Sequence, residues 1–301
     1  MLLASCSSAQ SSPTTTTEPA LPQGKCSATT DNPTLGLAAI TDTFLVRAWT
    51  TPNSSDYTEF GRIGDDPFAA PPTQGGDLTV VETATVSIAT CAVFVGTCCE
   101  PVSGITYYGG ETTGEWQMLM GRLPAISPDG ERLSVVAYEQ LVIAPVRTPE
   151  ETAAVISIPT GETVNFLGAH WLNVEQVALL GATADGIYMW VATVVDNAVS
   201  EPVLITNSVN WLSDNLNEVE FVGVDENGNI AVRVPRTSSQ VIEYRYPDSF
   251  EVRSSTPLGT SVLSYRTTLD RSAMVTSTGV LSVWSGNNNP AQVGAGYVWA
   301  G

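Results

Sequence analysis

His170 is the single histidine of this 301-residue chain and the side chain best suited to acid–base catalysis. An imidazole activates a nucleophile only when a further group orients it, as in hydrolytic triads. The chain contains no Gly-x-Ser-x-Gly elbow, no His-Glu-x-x-His segment and no phosphate-cradling Gly-Lys-Ser/Thr loop. We therefore assign no catalytic residue and expect His170 to pack beside Trp171, with a pocket-facing base as the alternative.

Aromatic rings on or near predicted inner strands are the candidates for a binding site. Such rings stack on sugar faces and anchor peptides, so a set of them at a channel mouth would bind those ligands. Packing within the core is the favoured alternative for the same rings. Besides His170, the candidates are Trp171, Trp211, Tyr265, Tyr297 and Trp299.

Metal-binding patterns are weak throughout the chain. Asp225, Asn227 and Asn229 alternate as in a calcium loop, but the twelfth position is Arg236, where that loop needs an acid. No Cys-x-x-Cys spacing indicates zinc. The other acidic residues fall mainly in predicted turns, and a glycosidase carboxylate pair among them is the alternative to solvated caps. We predict no metal and no cofactor.

The first residues of the chain resemble a signal for export. Leu3-Ala4-Ser5-Cys6 resembles the lipobox of bacterial lipoproteins, in which small residues precede a cysteine that is acylated. Little of an apolar region precedes it, so residues 1–6 resemble a truncated signal segment. The resemblance implies lipidation at Cys6, a membrane partner through that lipid, and an extracytoplasmic location on a bacterial membrane or cell surface.

Residues 7–34 are rich in Ser, Thr and Pro and nearly free of apolar side chains. Such a segment cannot offset its ordering entropy by burial, so we expect a disordered tether there. The folded domain is then predicted over residues 35–301. No run of about 20 apolar residues occurs, so no membrane-spanning helix is expected.

Charge excludes one class of partner. The chain has 12 Lys and Arg against 31 Asp and Glu, a formal net charge of −19. An acidic surface repels nucleic-acid phosphates, so DNA and RNA are excluded and an unidentified protein or glycan is the expected partner.

Five cysteines are present, and four remain for disulfides once Cys6 is assigned to lipid. Cys91 and Cys98 lie at opposite ends of one predicted strand, about 23 Å apart, so they cannot pair with each other. Cys26 then pairs with one of the other three, and Cys98–Cys99 forms a vicinal bridge or a second bridge starts at Cys91. We favour Cys26–Cys91 with Cys98–Cys99, and two free thiols are the alternative.

A repeat of strand-like segments runs along the chain. Each repeat contains a marker strand rich in β-branched residues, followed by a turn and a further strand. Successive markers start 48, 41, 44, 53 and 43 residues apart, close to the ~40–50 residues of a propeller blade. The markers start at Thr43, Cys91, Arg132, Gln176, Asn229 and Ser272.

The repeat predicts an all-β, six-bladed β-propeller of four-stranded antiparallel blades. The first unit lacks a strand ahead of Thr43, and residues 77–82 are predicted as its outer strand. The apolar segment Gly296–Gly301 is predicted to close the ring by joining the three N-terminal strands of this unit. A chain that ends within a seventh blade is the rival arrangement. The turn Ser127-Pro128-Asp129-Gly130 and the strand from Arg132 resemble the WD40-like repeats of TolB-type propellers. That resemblance implies the six-bladed fold.

These features together predict a membrane-anchored extracytoplasmic propeller that acts as a binding or scaffold module. The alternative is an exported hydrolase with an active site at the propeller channel, built from His170 and acidic residues. A periplasmic assembly factor in the manner of the TolB-type family is a third option, which rests on the resemblance alone.

Overall fold

The computed structural model consists of β-strands and connecting turns in the part of the chain that it describes. The described residues are 37–41, 45–49, 57–62, 81–87, 90, 92–97, 104–110, 116–137, 140–157, 164–183, 186–195, 198–200, 202–204, 220–224, 230–234, 240–244, 252–257, 262–267, 272–284 and 289–300. None of these segments is a helix of the length and apolarity that a membrane crossing needs.

The strands are numbered in chain order and fall into groups. The first group is β1 (Leu37–Thr41), β2 (Leu45–Trp49) and β3 (Thr58–Arg62). The second is β4 (Val81–Ser87), β5 (Ala92–Thr97), β6 (Ile105–Gly110) and β7 (Gln117–Met120). The third is β8 (Arg122–Ile126), β9 (Arg132–Ala137), β10 (Gln140–Pro145) and β11 (Ala154–Ser157).

The later groups continue the same pattern. The fourth is β12 (Asn165–Trp171), β13 (Gln176–Thr183), β14 (Gly186–Val195), β15 (Ala198–Val199) and β16 (Val203–Leu204). The fifth is β17 (Glu220–Val224), β18 (Ile230–Val234), β19 (Gln240–Tyr244) and β20 (Val252–Pro257). The sixth is β21 (Val262–Thr267), β22 (Ser272–Thr276), β23 (Leu281–Trp284) and β24 (Ala291–Gly294), and β25 (Tyr297–Ala300) follows it.

Neighbouring strands within each group pair antiparallel, and the fourth group carries two short strands, β15 and β16, on β14. The last strand, β25, pairs antiparallel with β1 and gives the first group four strands in the order β25-β1-β2-β3. A single parallel pair, Gly223 with Thr267, connects β17 to β21 and merges the fifth and sixth groups into one eight-stranded sheet.

One strand of each group lies against the equivalent strand of the next group. We call these six, β4, β8, β12, β17, β21 and β25, the central strands. β4 contacts β8, β8 contacts β12, β12 contacts β17, β17 contacts β21, β21 contacts β25, and β25 contacts β4. The core follows the same order, because an apolar cluster of described residues lies between each pair of neighbouring groups, including the sixth and the first.

The central strands share a register irregularity. Each has one more residue than its antiparallel partner at one point, which is a β-bulge. In each of these strands, the extra residue lies between two positions that are paired with the neighbouring strand. The bulges fall between Val81 and Thr83, Arg122 and Ala125, Phe166 and Gly168, Phe221 and Gly223, Val262 and Ser264, and Tyr297 and Trp299.

The structure confirms the all-β class and the antiparallel four-stranded sheets that the repeat predicted. Each marker segment contains a strand, from β2 to β22. The first unit differs from expectation, because β1 lies ahead of β2 and was not predicted. The segment 77–82 was predicted as that unit's outer strand, but Val81 begins β4 of the second group.

Candidate functional site

His170 lies near the end of central strand β12, against central strand β17. The two strands approach closely because residue 168 is a glycine: a Cβ there would lie 2.4 Å from the Cβ of Phe221. This approach brings the Phe221 ring edge-on to the imidazole, with the ring centroids 4.6 Å apart. The partner of the histidine ring is therefore Phe221, where the sequence had favoured Trp171.

The imidazole is bonded to the backbone of the neighbouring group. Its Nε2 lies 3.1 Å from the carbonyl oxygen of Phe221, so Nε2 carries the proton and donates it. Burial and, to a smaller extent, the positive charge of Arg266 together lower the pKa of His170 to about 4, and the bond to Phe221 only partly opposes them. The residue as a whole is partly exposed, and the ring is neutral at pH 7.

This geometry does not suit general-base catalysis. Nε2 is committed to a carbonyl oxygen, and a base with a pKa near 4 accepts a proton poorly at neutral pH. The charged group that shifts the pKa of His170 is the guanidinium of Arg266. A catalytic triad instead needs a carboxylate that orients the imidazole. Within the described ranges, no hydrogen bond or ion pair joins His170 to Asp or Glu. What His170 does is connect β12 to β17.

Trp171 makes a second connection between groups. Its indole N–H donates to the carbonyl oxygen of Ala125 at 3.2 Å, and the Arg132 guanidinium lies 5.4 Å from its ring centroid. Arg132 also donates to the carbonyl oxygen of Val194 at 3.0 Å and pairs with Asp129 at 3.8 Å. Through these two contacts Trp171, which is 5% exposed, joins the third group to the fourth.

Tyr265 and Tyr297 are buried in different apolar clusters. Tyr265 packs on Trp284 with ring centroids 5.9 Å apart, and its hydroxyl lies 3.5 Å from the Ser272 hydroxyl. Tyr297 accepts a hydrogen bond from Arg47 at 3.1 Å. Trp171, Tyr265 and Tyr297 therefore pack in three different apolar clusters, each between a different pair of neighbouring groups.

The remaining candidates lie partly or wholly outside the described residues. Trp299 is placed by its backbone, opposite Ile40, but its side chain is not described. Trp211 and the tether over residues 7–34 lie outside the described ranges, as does the lipidation candidate Cys6. The same holds for the disulfide candidates Cys26, Cys91, Cys98 and Cys99.

The structure shows one polar cluster that sequence reasoning missed. The Arg47 guanidinium lies 4.5 Å from the Tyr57 ring centroid and 3.6 Å from the Glu59 carboxylate, and it donates to Tyr297. Burial lowers the pKa of Arg47, but the bond to Tyr297 and the neighbouring charges outweigh burial and raise it. The signal in the sequence was a rare cation at a strand position, with Glu59 on the next strand, where it pairs with Arg47.

Two further arginine side chains donate hydrogen bonds to backbone carbonyl groups of the central strands. Arg122 donates to the carbonyl oxygen of Phe166 in the next group, and Arg266 donates to the carbonyl oxygen of Tyr265 at 2.7 Å. Among the described residues, no three His, Cys, Asp or Glu side chains gather as a metal site.

The fold and these contacts define an all-β protein of the propeller type. TolB from Acinetobacter baumannii is similar in structure, with 10% sequence identity, a TM-score of 0.50 and coverage of 83% of this chain and 60% of that chain. The Swd1 β-propeller domain of Myceliophteria thermophila matches 67% of each chain at 12% identity and a TM-score of 0.40. An acylaminoacyl peptidase of Pyrococcus horikoshii matches over 68% of this chain and 44% of that chain, at 10% identity and a TM-score of 0.40.

The TolB similarity supports a propeller fold and concerns the fold alone, because the sequences are 10% identical. This chain spans 60% of the length of that TolB structure. No family model and no curated protein matches the sequence.

Proposed function

We propose that the chain is an extracytoplasmic six-bladed β-propeller that acts as a binding or scaffold module, held at a membrane by a lipid on Cys6. The cyclic order of contacts among the central strands supports six blades, as do the clusters between neighbouring groups and the repeated bulge. The pairing of β25 with β1 supports closure by the last strand. The Leu3-Ala4-Ser5-Cys6 segment supports the anchor.

The observation that carries the choice of a module over a hydrolase is the bond between His170 and Phe221. The single histidine is held by a backbone carbonyl oxygen of the neighbouring strand, 3.1 Å away, and its charged neighbour is Arg266. Trp171, Arg122 and Arg132 likewise direct their polar atoms at backbone of adjacent groups. These contacts between neighbouring groups support a framework role for the central side chains, as a binding or scaffold module needs.

A comparison of wild type with His170→Gln tests this choice. Both proteins are screened against generic ester, peptide and glycoside substrates, and any ligand found on a glycan array or by cross-linking on intact cells is titrated against both. The proposal expects no turnover that depends on His170 and equal binding by the two proteins. A hydrolytic activity that disappears in the folded His170→Gln variant would establish the hydrolase instead.

The anchor is tested separately with Cys6→Ser. The chain is produced behind an export signal, and its partition into a detergent phase is compared with that of the variant. Lipidation at Cys6 predicts that wild type enters the detergent phase and the variant stays in the aqueous phase. Equal partition of the two proteins contradicts the lipid anchor. The proposal of a binding or scaffold module would then still be tested by the comparison of wild type with His170→Gln.

A further inference from the structure

Three side chains at alternate positions point to the same face of the second group. Trp116 precedes β7 and belongs to the apolar cluster between the first and second groups. Met118 pairs with Tyr107 and Met120 pairs with Ile105, and both partners pack in that same cluster. Leu119 packs in the cluster on the opposite side, as the alternation of a strand requires. Trp116, Met118 and Met120 therefore share one face.

The two thioethers on this face are open to solvent. Met118 is 48% exposed and Met120 is 53% exposed, whereas Met189 is 1% exposed. β7 is the last strand of its sheet, so both side chains lie at the rim of the second group. Packing therefore leaves about half of each methionine accessible to a ligand.

The spacing suits a single ion. Residues i and i+2 of a strand lie about 6.6 Å apart, and a methionine side chain has three rotatable bonds, so both sulfur atoms can approach one centre. Thioether sulfur is a neutral, soft ligand that selects Cu(I)-type ions over Mg²⁺, Ca²⁺ or Zn²⁺.

The neighbouring indole supplies a second, independent feature. Trp116 packs in the apolar cluster on the face that carries Met118 and Met120. A tryptophan ring is the best aromatic face for a cation, and the π system of the ring makes that contact. Charge agrees, because β6 and β7 contain neither Lys nor Arg and the chain carries a net charge of −19.

We propose that Trp116, Met118 and Met120 form a binding site for a soft monovalent cation of the Cu(I) and Ag(I) class. The two sulfur atoms ligate the ion, and the indole covers one side of it. No electron is transferred, and the ion binds and leaves with its charge unchanged. This site is separate from the central strands and does not depend on the identity of the module's partner.

Silver is the probe, because Ag(I) has the same ligand preference and stays monovalent in air. The full chain is labelled with [methyl-13C]methionine, its free thiols are blocked with N-ethylmaleimide, which leaves thioethers intact, and silver nitrate is added while methyl signals are recorded. The proposal expects the Met118 and Met120 methyl signals to shift together and saturate at one equivalent, while those of Met189 and Met274 stay in place. Unmoved Met118 and Met120 signals at a tenfold excess of silver overturn it.

Variants identify the ligands. Met118→Leu and Met120→Leu should each weaken silver binding by about tenfold or more, and Trp116→Phe by a smaller factor. Met274→Leu, at a partly buried methionine of β22, is the matched control and should bind as wild type does. Circular dichroism verifies that each variant is folded. If the folded Met118→Leu, Met120→Leu double variant binds silver as tightly as wild type does, the proposed site is contradicted.

Discussion

At the scale of single residues, the side chain of His170 is held by the Phe221 carbonyl oxygen, 51 positions along the chain. Because it is the single histidine, its imidazole signals need no assignment. We expect 15N chemical shifts to report the tautomer with the proton on Nε2, and the titration to report a pKa near 4. A pKa above 6 would contradict the burial and the proximity of Arg266 that the structure shows.

The depressed pKa of His170 has a consequence for stability. Its folded pKa, about 4, lies below the unfolded value of 6.5, so between these values the unfolded chain binds more protons than the folded one. Stability from the neutral ring is complete above pH 6.5 and is lost as the pH falls towards 4. The loss should amount to about 1–3 kcal/mol, at the lower end because the residue as a whole is partly exposed.

Urea unfolding at several pH values measures this loss. The acidic residues also titrate in this range, so the quantity to compare is the difference between wild type and His170→Gln. That difference should shrink as the pH falls from 6.5 to 4. A difference that stays constant with pH would show that the ring does not titrate as the structure requires.

At the scale of elements, the close approach of β12 and β17 depends on Gly168. An added Cβ would lie 2.4 Å from the Phe221 Cβ, at the centre of the contact between two groups. Gly168→Ala should therefore destabilise the fold by about 1–3 kcal/mol in urea unfolding, because the strands must separate. Gly294→Ala is the control: its Cβ would meet the Tyr297 ring at 3.1 Å, so a smaller loss is expected. Equal effects would contradict the special role of Gly168.

The turn Ser127–Gly130 connects the second and third groups. The Asp129 carboxylate accepts hydrogen bonds from the Ser127 hydroxyl and from the backbone N–H of Glu131. Gly130, in turn, accepts a bond from Ser87 of the second group at 3.2 Å. Asp129→Ala should cost about 1–2 kcal/mol of stability, and Asp129→Asn, which keeps an acceptor oxygen, should cost less. The midpoint of urea unfolding measures both, and no loss in Asp129→Ala would show that the turn forms without its side chain.

Sequence reasoning identified the strands and this turn because both are local. Runs such as Leu133–Val136 carry their preference in β-branched and apolar side chains, and Pro and Gly determine the turn backbone. β1 was missed because Leu37–Thr41 has alanines at its centre and follows a polar segment. The site partners could not be predicted, because His170 and Phe221, or Arg47 and Tyr297, meet only when distant groups pack together.

At the scale of the whole molecule, the pairing of β25 with β1 connects the two ends of the described chain. Ala39 lies opposite Ala300 in that pair. The double variant Ala39→Cys, Ala300→Cys should form an intramolecular disulfide on mild oxidation and stabilise the protein by about 2–4 kcal/mol. Peptide mapping distinguishes this bridge from bonds to the native cysteines. The Ala39→Cys single variant is the control, and a bridge found only between two molecules would contradict the closure.

The same pairing brings the end of β25 close to the start of β1. Because Ala300 lies beside Ala39, a short linker from the end of β25 to the start of β1 would span little distance. A chain permuted in this way, opened at a turn between two groups, retains every strand pairing and every apolar cluster described above. The order in which the groups are synthesised is then one of several cyclic orders that the same contacts support.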